Sequence, residues 1–303
     1  MGREVKSFKV AELIVCIDNG LEAMPYSLPA CYRDFMLPAQ ADIDCKKTVT
    51  TAQTPGTGET LLLEVVNRIP PVEHGQGSPL FYGANWELWL DDRGRYVFIA
   101  PQETPAYRIV IEPDFSYGEI IGDFSSPAGA ALFPLQNLGI RIFINWLANS
   151  GDVVVHASGA SIHGKGYFFA GESGAGKSTL ISALGGRSGV VVLGEDQVII
   201  RYIRNQFWLF GTPWHTNPSL CSPLGVPLHK GFFLDRHEET RVDALSPVEG
   251  VSRLFQTAFI PFYRPAAVAS ILDRFSLLAE HTPFYSLSYE LGTDALDLIL
   301  NPR

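Results

Sequence analysis

The chain of 303 residues is roughly twice the length of a typical domain, and its 46% hydrophobic content supplies a sizeable core, so two domains are expected. A formal charge of −9 excludes a global basic field of the kind that binds nucleic acid or anionic lipid, and no run of about 18 uncharged apolar residues marks a membrane span. Cys16, Cys31, Cys45 and Cys221 show neither CxxC pairing nor zinc-finger spacing and read as reduced, mostly buried thiols. With no long apolar run after MGREVKSFKV, the expected location is cytoplasmic.

From Phe8 to about Glu119 the chain yields short strand-like runs, LLLEVV, WELWL, YVFIA and YRIVI, separated by Gly, Pro and Asp. This half is expected to be a β-rich domain over residues 1–125. Asp91 and Asp92 fall in DDRGR and read as hairpin-turn chemistry. The period then changes: Leu135, Leu138, Ile142, Trp146 and Leu147 share one helical face until Asn149, Ser150 and Gly151 stop it. A second domain is placed at 126–303. It continues with VVVHASGASI and KGYFFAG, two strands around a Gly-Lys-Gly turn, a helix from Lys177 to about Leu184, and GVVVLGEDQVII as a buried strand. Strand, loop, helix, strand is the start of a phosphate-binding α/β domain.

The loop itself carries the strongest signal. Gly171, Glu172, Ser173, Gly174, Ala175, Gly176, Lys177 and Ser178 match G-x-x-x-x-G-K-[ST] at every required position, with Thr179 next in the helix. Glycines let backbone N–H groups turn inward around phosphate oxygens, and the helix start directs its positive end at the same anion. Lys177 can reach the β and γ phosphates, and the Ser178 hydroxyl can ligate Mg²⁺.

Upstream, His156 lies on a strand-like run; downstream, Glu195 and Asp196 close VVVLGED. Two adjacent carboxylates at a strand's C-terminal end can divide phosphoryl transfer, one holding metal and the other taking a proton from the attacking hydroxyl. Neither an Asn-Lys-x-Asp guanine motif nor an LSGGQ-like string occurs.

In these residues the chain resembles the HPr kinase/phosphorylase family, whose core is in turn similar to phosphoenolpyruvate carboxykinase. There a histidine on a strand precedes a GDSGxGKS loop and an Asp-Asp pair follows. Here His156, GESGAGKS and Glu195-Asp196 take those places, and the resemblance covers about residues 134 to 235. It implies an α/β P-loop kinase domain behind the β-rich one, using ATP and Mg²⁺. It further implies Glu195 as general base, His156 assisting it, Lys177 and Ser178 on phosphate and metal, and Asp196 as metal ligand. The family's EIRGLGI-type segment is replaced by FGTPWHTNPSLCSPLGVPLHKGFFLDR. Such Thr-Pro-Trp-His segments resemble the orphan HPr-kinase-related branch that includes lasso-peptide serine kinases, so HPr itself is not the expected acceptor.

Thr212, Trp214 and His215 in that segment form a turn that either lines the acceptor site or packs as structure. Lys230, Arg236 and Arg241 flank GFFLD and read either as solvated charges or as phosphate contacts. His163 is expected in an exposed turn, and His229, His237 and His281 lack zinc-like spacing. The expected function is ATP- and Mg²⁺-dependent phosphoryl transfer to a serine of a protein or peptide, with no nucleic-acid or membrane partner. Assembly as a homo-oligomer, a small-molecule hydroxyl acceptor, and a nucleotide sensor without transfer are left open.

Overall fold

The computed structural model describes residues 5–18, 28–38, 59–68, 78–100, 107–124, 133–215, 217, 220–235, 240–289 and 295–300. The chain divides into two compact units, Met1–Trp146 and Leu147–Arg303. The division falls near the end of the expected helix.

The first unit is built on one sheet. Its strands are β1 (Val5–Val10), β2 (Leu13–Asp18), β3 (Thr60–Asn67), β4 (Phe81–Tyr82), β5 (Glu87–Leu90), β6 (Tyr96–Ile99), β7 (Arg108–Ile111) and β8 (Tyr117–Gly122), in the order β1-β2-β3-β8-β7-β6-β5-β4. β3 runs parallel to both neighbours, and β4 to β8 form an antiparallel meander. The β5–β6 turn is closed by Asp91, whose Oδ1 accepts from the Arg93 and Arg95 amides and whose Oδ2 accepts from Arg95 Nε. Helix α1 (Phe133–Ala148) buries Leu135, Leu138, Ile142, Trp146 and Leu147, the face read from its period.

One cysteine departs from expectation. Cys16 is disulfide-bonded, with its partner outside the described residues, while Cys31 and Cys221 are free thiols. Disulfides are rare where thiols are kept reduced, so Cys16 departs from the reading of all four cysteines as reduced thiols. Among the described residues no helix is long and apolar enough to cross a membrane.

In the second unit β9 (Val153–Val155), β10 (Ala157–Ile162), β11 (Lys165–Ala170), α2 (Lys177–Leu184), β12 (Val190–Gly194), β13 (Val198–Ile203), β14 (Gln206–Gly211), β15 (Gly225–Leu234), β16 (Arg241–Ala244), α3 (Pro247–Thr257), α4 (Pro265–His281), β17 (Phe284–Ser288) and α5 (Ala295–Leu300) follow in turn. The strand order is β12-β10-β11-β15-β14-β13-β9, with β17 pairing β15 and β16 pairing β17. Alternate residues of β11 serve two cores. Phe168 and Ala170 pack with Leu254 of α3 and Ile271, Phe275 and Leu278 of α4. Tyr167 and Phe169 pack with Leu180, Ile181 and Leu184 of α2 and Ile299 of α5. A strand covered by helices on both faces has no solvent side, which is why GYFFA, after the exposed Lys165, reads as an unbroken apolar run.

The segment GVVVLGEDQVII, expected as one buried strand, is two. β12 ends at Gly194 and β13 begins at Val198, with Glu195, Asp196 and Gln197 between them. β12 is the edge strand beyond β10, which leaves Val191 44% exposed.

Candidate functional site

Strand direction brings the scattered motifs to one edge of the sheet. β10 is antiparallel to both β11 and β12, so the start of β10 at Ala157 lies beside the ends of β11 at Ala170 and β12 at Gly194. His156, the loop from Gly171 and Glu195-Asp196 therefore emerge side by side. β15 runs parallel to β11, and β17 parallel to β15, adding Asp235 and Tyr289 to the same edge. This is the carboxyl end of the parallel strands, where α/β sheets bind ligands.

The loop has the backbone its glycines allow. Gly174 (φ 78°) and Gly176 (φ 98°) lie in the left-handed region that side chains disfavour. A Cβ on Gly176 would also come within 2.9 Å of the Tyr289 hydroxyl, which donates to the Gly176 carbonyl at 2.9 Å. No side chain caps the start of α2, so the amides of its first turn, with the exposed Ser178 and Thr179, are left to a ligand. Lys177 folds back over the loop. Its Nζ donates to the Gly171 carbonyl at 2.6 Å and the Glu172 carbonyl at 3.1 Å. It is 7% exposed, and burial lowers its pKa against the opposing charge of Asp196. An ammonium resting on carbonyls alone beside an uncapped helix start fits a phosphate.

His156 sits at the bend between β9 and β10, not on a strand. Its N–H donates to the Thr257 carbonyl at 2.8 Å, and its Nδ1 lies 3.0 Å from the Asp196 carbonyl. A carbonyl only accepts, so Nδ1 carries the proton, and in the neutral ring Nε2 is the acceptor. Glu195, 9% exposed, turns away: its Oε1 accepts from the Asn217 amide at 3.0 Å, while its carbonyl accepts from the Ser158 hydroxyl at 2.5 Å.

The Thr-Pro-Trp-His turn is packed rather than presented. Thr212 is 0% and Trp214 8% exposed. The Thr212 hydroxyl donates to the Gln197 carbonyl at 3.0 Å and lies 3.1 Å from His215 Nε2, while the Asp196 amide approaches His215 Nδ1 at 3.4 Å. That pattern belongs to a neutral imidazole. Burial pushes the His215 pKa down to about 4, with Asp196 opposing. The ring occupies the space of a Gly194 side chain, since a Cβ there would lie 2.5 Å from it. His215 thus supports the Asp196 backbone.

Beside the loop opens a cleft of about 780 Å³. The loop contributes Gly171, Glu172, Ser173 and Ala175, and His156, Asp235, Arg253 and Phe259 line it as well. Glu195, Thr212, Trp214 and His215 are not among its lining residues. Sequence reasoning missed Asp235 and Arg253, since neither lies in a motif; the signal was Asp235 closing the apolar run GFFLD. Lys230 donates to the Leu300 carbonyl at 2.8 Å, and Arg241 pairs with Asp243 at 2.5 Å on the surface, so neither lines the cleft. His163 lies in an exposed turn at φ 51°. Arg236 and His237 lie outside the described residues. Among the described residues no three His, Cys, Asp or Glu side chains converge as a metal cage.

No family model matches this chain, and no curated protein matches it. Among solved structures, it is similar to the Hpr(Ser) kinase/phosphatase from Coxiella burnetii at 14% identity and a TM-score of 0.25, over 46% of this chain and 82% of that one.

Proposed function

We propose that the second unit is an ATP- and Mg²⁺-dependent kinase that transfers a phosphoryl group to a hydroxyl acceptor, a serine of a protein or peptide. The observation that carries this reading is the phosphate loop with its folded-back Lys177, opening on a cleft that also holds His156, Asp235 and Arg253. The resemblance of His156, GESGAGKS and Glu195-Asp196 to the HPr kinase pattern supports the serine acceptor. Lys177 and the α2 amides would bind the β and γ phosphates. Ser178 and Asp196 are the oxygen donors offered to Mg²⁺, which when bound supplies charge neutralisation between those phosphates. His156 orients the carboxylate pair through the Asp196 carbonyl and lines the cleft. Glu195 takes the acceptor's proton once its carboxylate leaves the Asn217 amide. The first unit carries no catalytic string and is assigned to substrate or partner recognition on that ground.

The hold of Asn217 on Glu195 favours a second reading, a nucleotide sensor that binds without transfer. Glu195→Gln separates the two. A general base contributes typically about 10²- to 10⁴-fold, so the variant should bind ATP and Mg²⁺ nearly as well as wild type yet transfer at least about 100-fold more slowly in single turnover. Mass spectrometry of candidate serine peptides after incubation with ATP and Mg²⁺ supplies the readout. Equal rates would remove Glu195 from the base's role, and no transfer by wild type would favour the sensor.

A further inference from the structure

Arg253 brings to the cleft a cation that no motif marks. It stands on α3, whose start is fixed by a reciprocal cap between Ser246 and Glu249. Its Nη1 donates to both oxygens of Asp235, at 2.9 and 2.7 Å, and its guanidinium lies 6.0 Å from the centre of the Phe233 ring. The Ser286 hydroxyl holds Asp235 from the other side, donating to Oδ2 at 2.6 Å. Asp235 follows the last residue of β15, the parallel neighbour of the strand that delivers the phosphate loop. Phe233, Asp235 and Arg253 line the same cleft as Gly171, Glu172 and Ser173.

The mode of pairing is the informative point. An arginine serving only to neutralise Asp235 would engage it with two nitrogens side-on, the stronger geometry. Here one nitrogen is spent, and Nε and Nη2 make no hydrogen bond to any described residue. The guanidinium is anchored at one end and offers a two-pronged donor at the other.

Building on the phosphoryl-transfer reading above, we propose that Arg253 is a catalytic arginine supplied in cis, its Nε and Nη2 donating to the phosphoryl group during transfer, with Asp235 and Ser286 as positioning residues. In that step the bond from the terminal phosphorus to the bridging oxygen breaks, a P–O bond to the acceptor oxygen forms, and the acceptor's proton passes to the general base. Negative charge on the oxygens in flight is what a guanidinium fork stabilises and what a lone ammonium cannot bridge.

The test uses the full chain with ADP and Mg²⁺, titrated by calorimetry with and without fluoroaluminate, a mimic of the transferring phosphoryl group. Wild type should gain at least about 100-fold in affinity from fluoroaluminate, as transition-state mimics do. Arg253→Ala and Arg253→Lys should keep ADP affinity within about threefold while losing most of that gain. Arg253→Lys retains a charge beside Asp235 and guards against misfolding of the Ala variant; thermal melts check both. A gain retained in either variant overturns the proposal, as does ADP affinity falling with it in a variant that melts like wild type. Wild type binding ADP without gaining from fluoroaluminate refutes the arginine alone. Wild type that binds no ADP refutes the phosphate-loop reading itself.

Discussion

Replacing Lys177 by Met keeps an unbranched stem and deletes the ammonium. In the free protein that ammonium donates to the Gly171 and Glu172 carbonyls at 2.6 and 3.1 Å, and nucleotide binding would exchange those neutral acceptors for phosphate oxygens. Hydrogen bonds to charged groups contribute about 1.5–3 kcal/mol each, and part of that is already present in the free loop. The net loss over two bonds is then about 2–3 kcal/mol, a rise of about 30- to 150-fold in the Kd for ATP with Mg²⁺. Stability should move the other way. At 7% exposure burial disfavours the charged form, as its lowered pKa records, so the ammonium is a cost to the free fold. Without nucleotide, Lys177→Met is expected to melt at or slightly above wild type; at a fixed nucleotide concentration it should melt below, because ligand stabilisation grows with the ratio of ligand to Kd. Calorimetric titration and paired melts measure both. An unchanged Kd would refute the phosphate role, and a free-protein melting point lowered by more than about 8 °C would make the lysine a structural support.

Asp196→Asn should raise the Mg²⁺ concentration needed for half-maximal transfer while leaving ADP affinity without Mg²⁺ nearly unchanged, since one anionic oxygen is lost and the loop amides remain; overlapping Mg²⁺ curves would remove Asp196 as a ligand. His215, with its pKa lowered from 6.5 to about 4, binds its proton in the unfolded chain first, so its contribution is full above about pH 6.5 and is lost as pH falls toward 4. Denaturant titrations across that window should show a loss of at most about 3 kcal/mol that His215→Asn abolishes, and an identical slope in the variant would refute the assignment. Asp152→Ala removes the carboxylate that accepts from Arg201 Nε and the Tyr202 amide, both at 2.9 Å, within a buried pair. It should cost about 3–5 kcal/mol in denaturant unfolding, and a cost below about 1 kcal/mol would refute that reading.

What was legible in the sequence was local. GESGAGKS specifies its own turn because the left-handed positions at Gly174 and Gly176 and the following helix lie within a few residues of each other. The α1 face, the early strands and the Asp91 turn follow from side-chain period and hydrogen bonds between near neighbours. What only tertiary structure decided was which strand lies beside which and where a side chain at a strand end then points. Pairing of β15 with β11, between residues 62 to 63 apart in the chain, carries Asp235 to the loop, and helix packing brings Arg253 over it. The same pairings leave β12 at the edge, split GVVVLGEDQVII, and set Glu195 against the Asn217 amide. Burial of Lys177 and of the Thr212–Trp214 turn depends on neighbours from several elements, and the Cys16 disulfide on a distant partner. Periodicity reports which face of an element is buried; it carries no information on which distant element buries it, and a site assembled from five strand ends depends on that second choice.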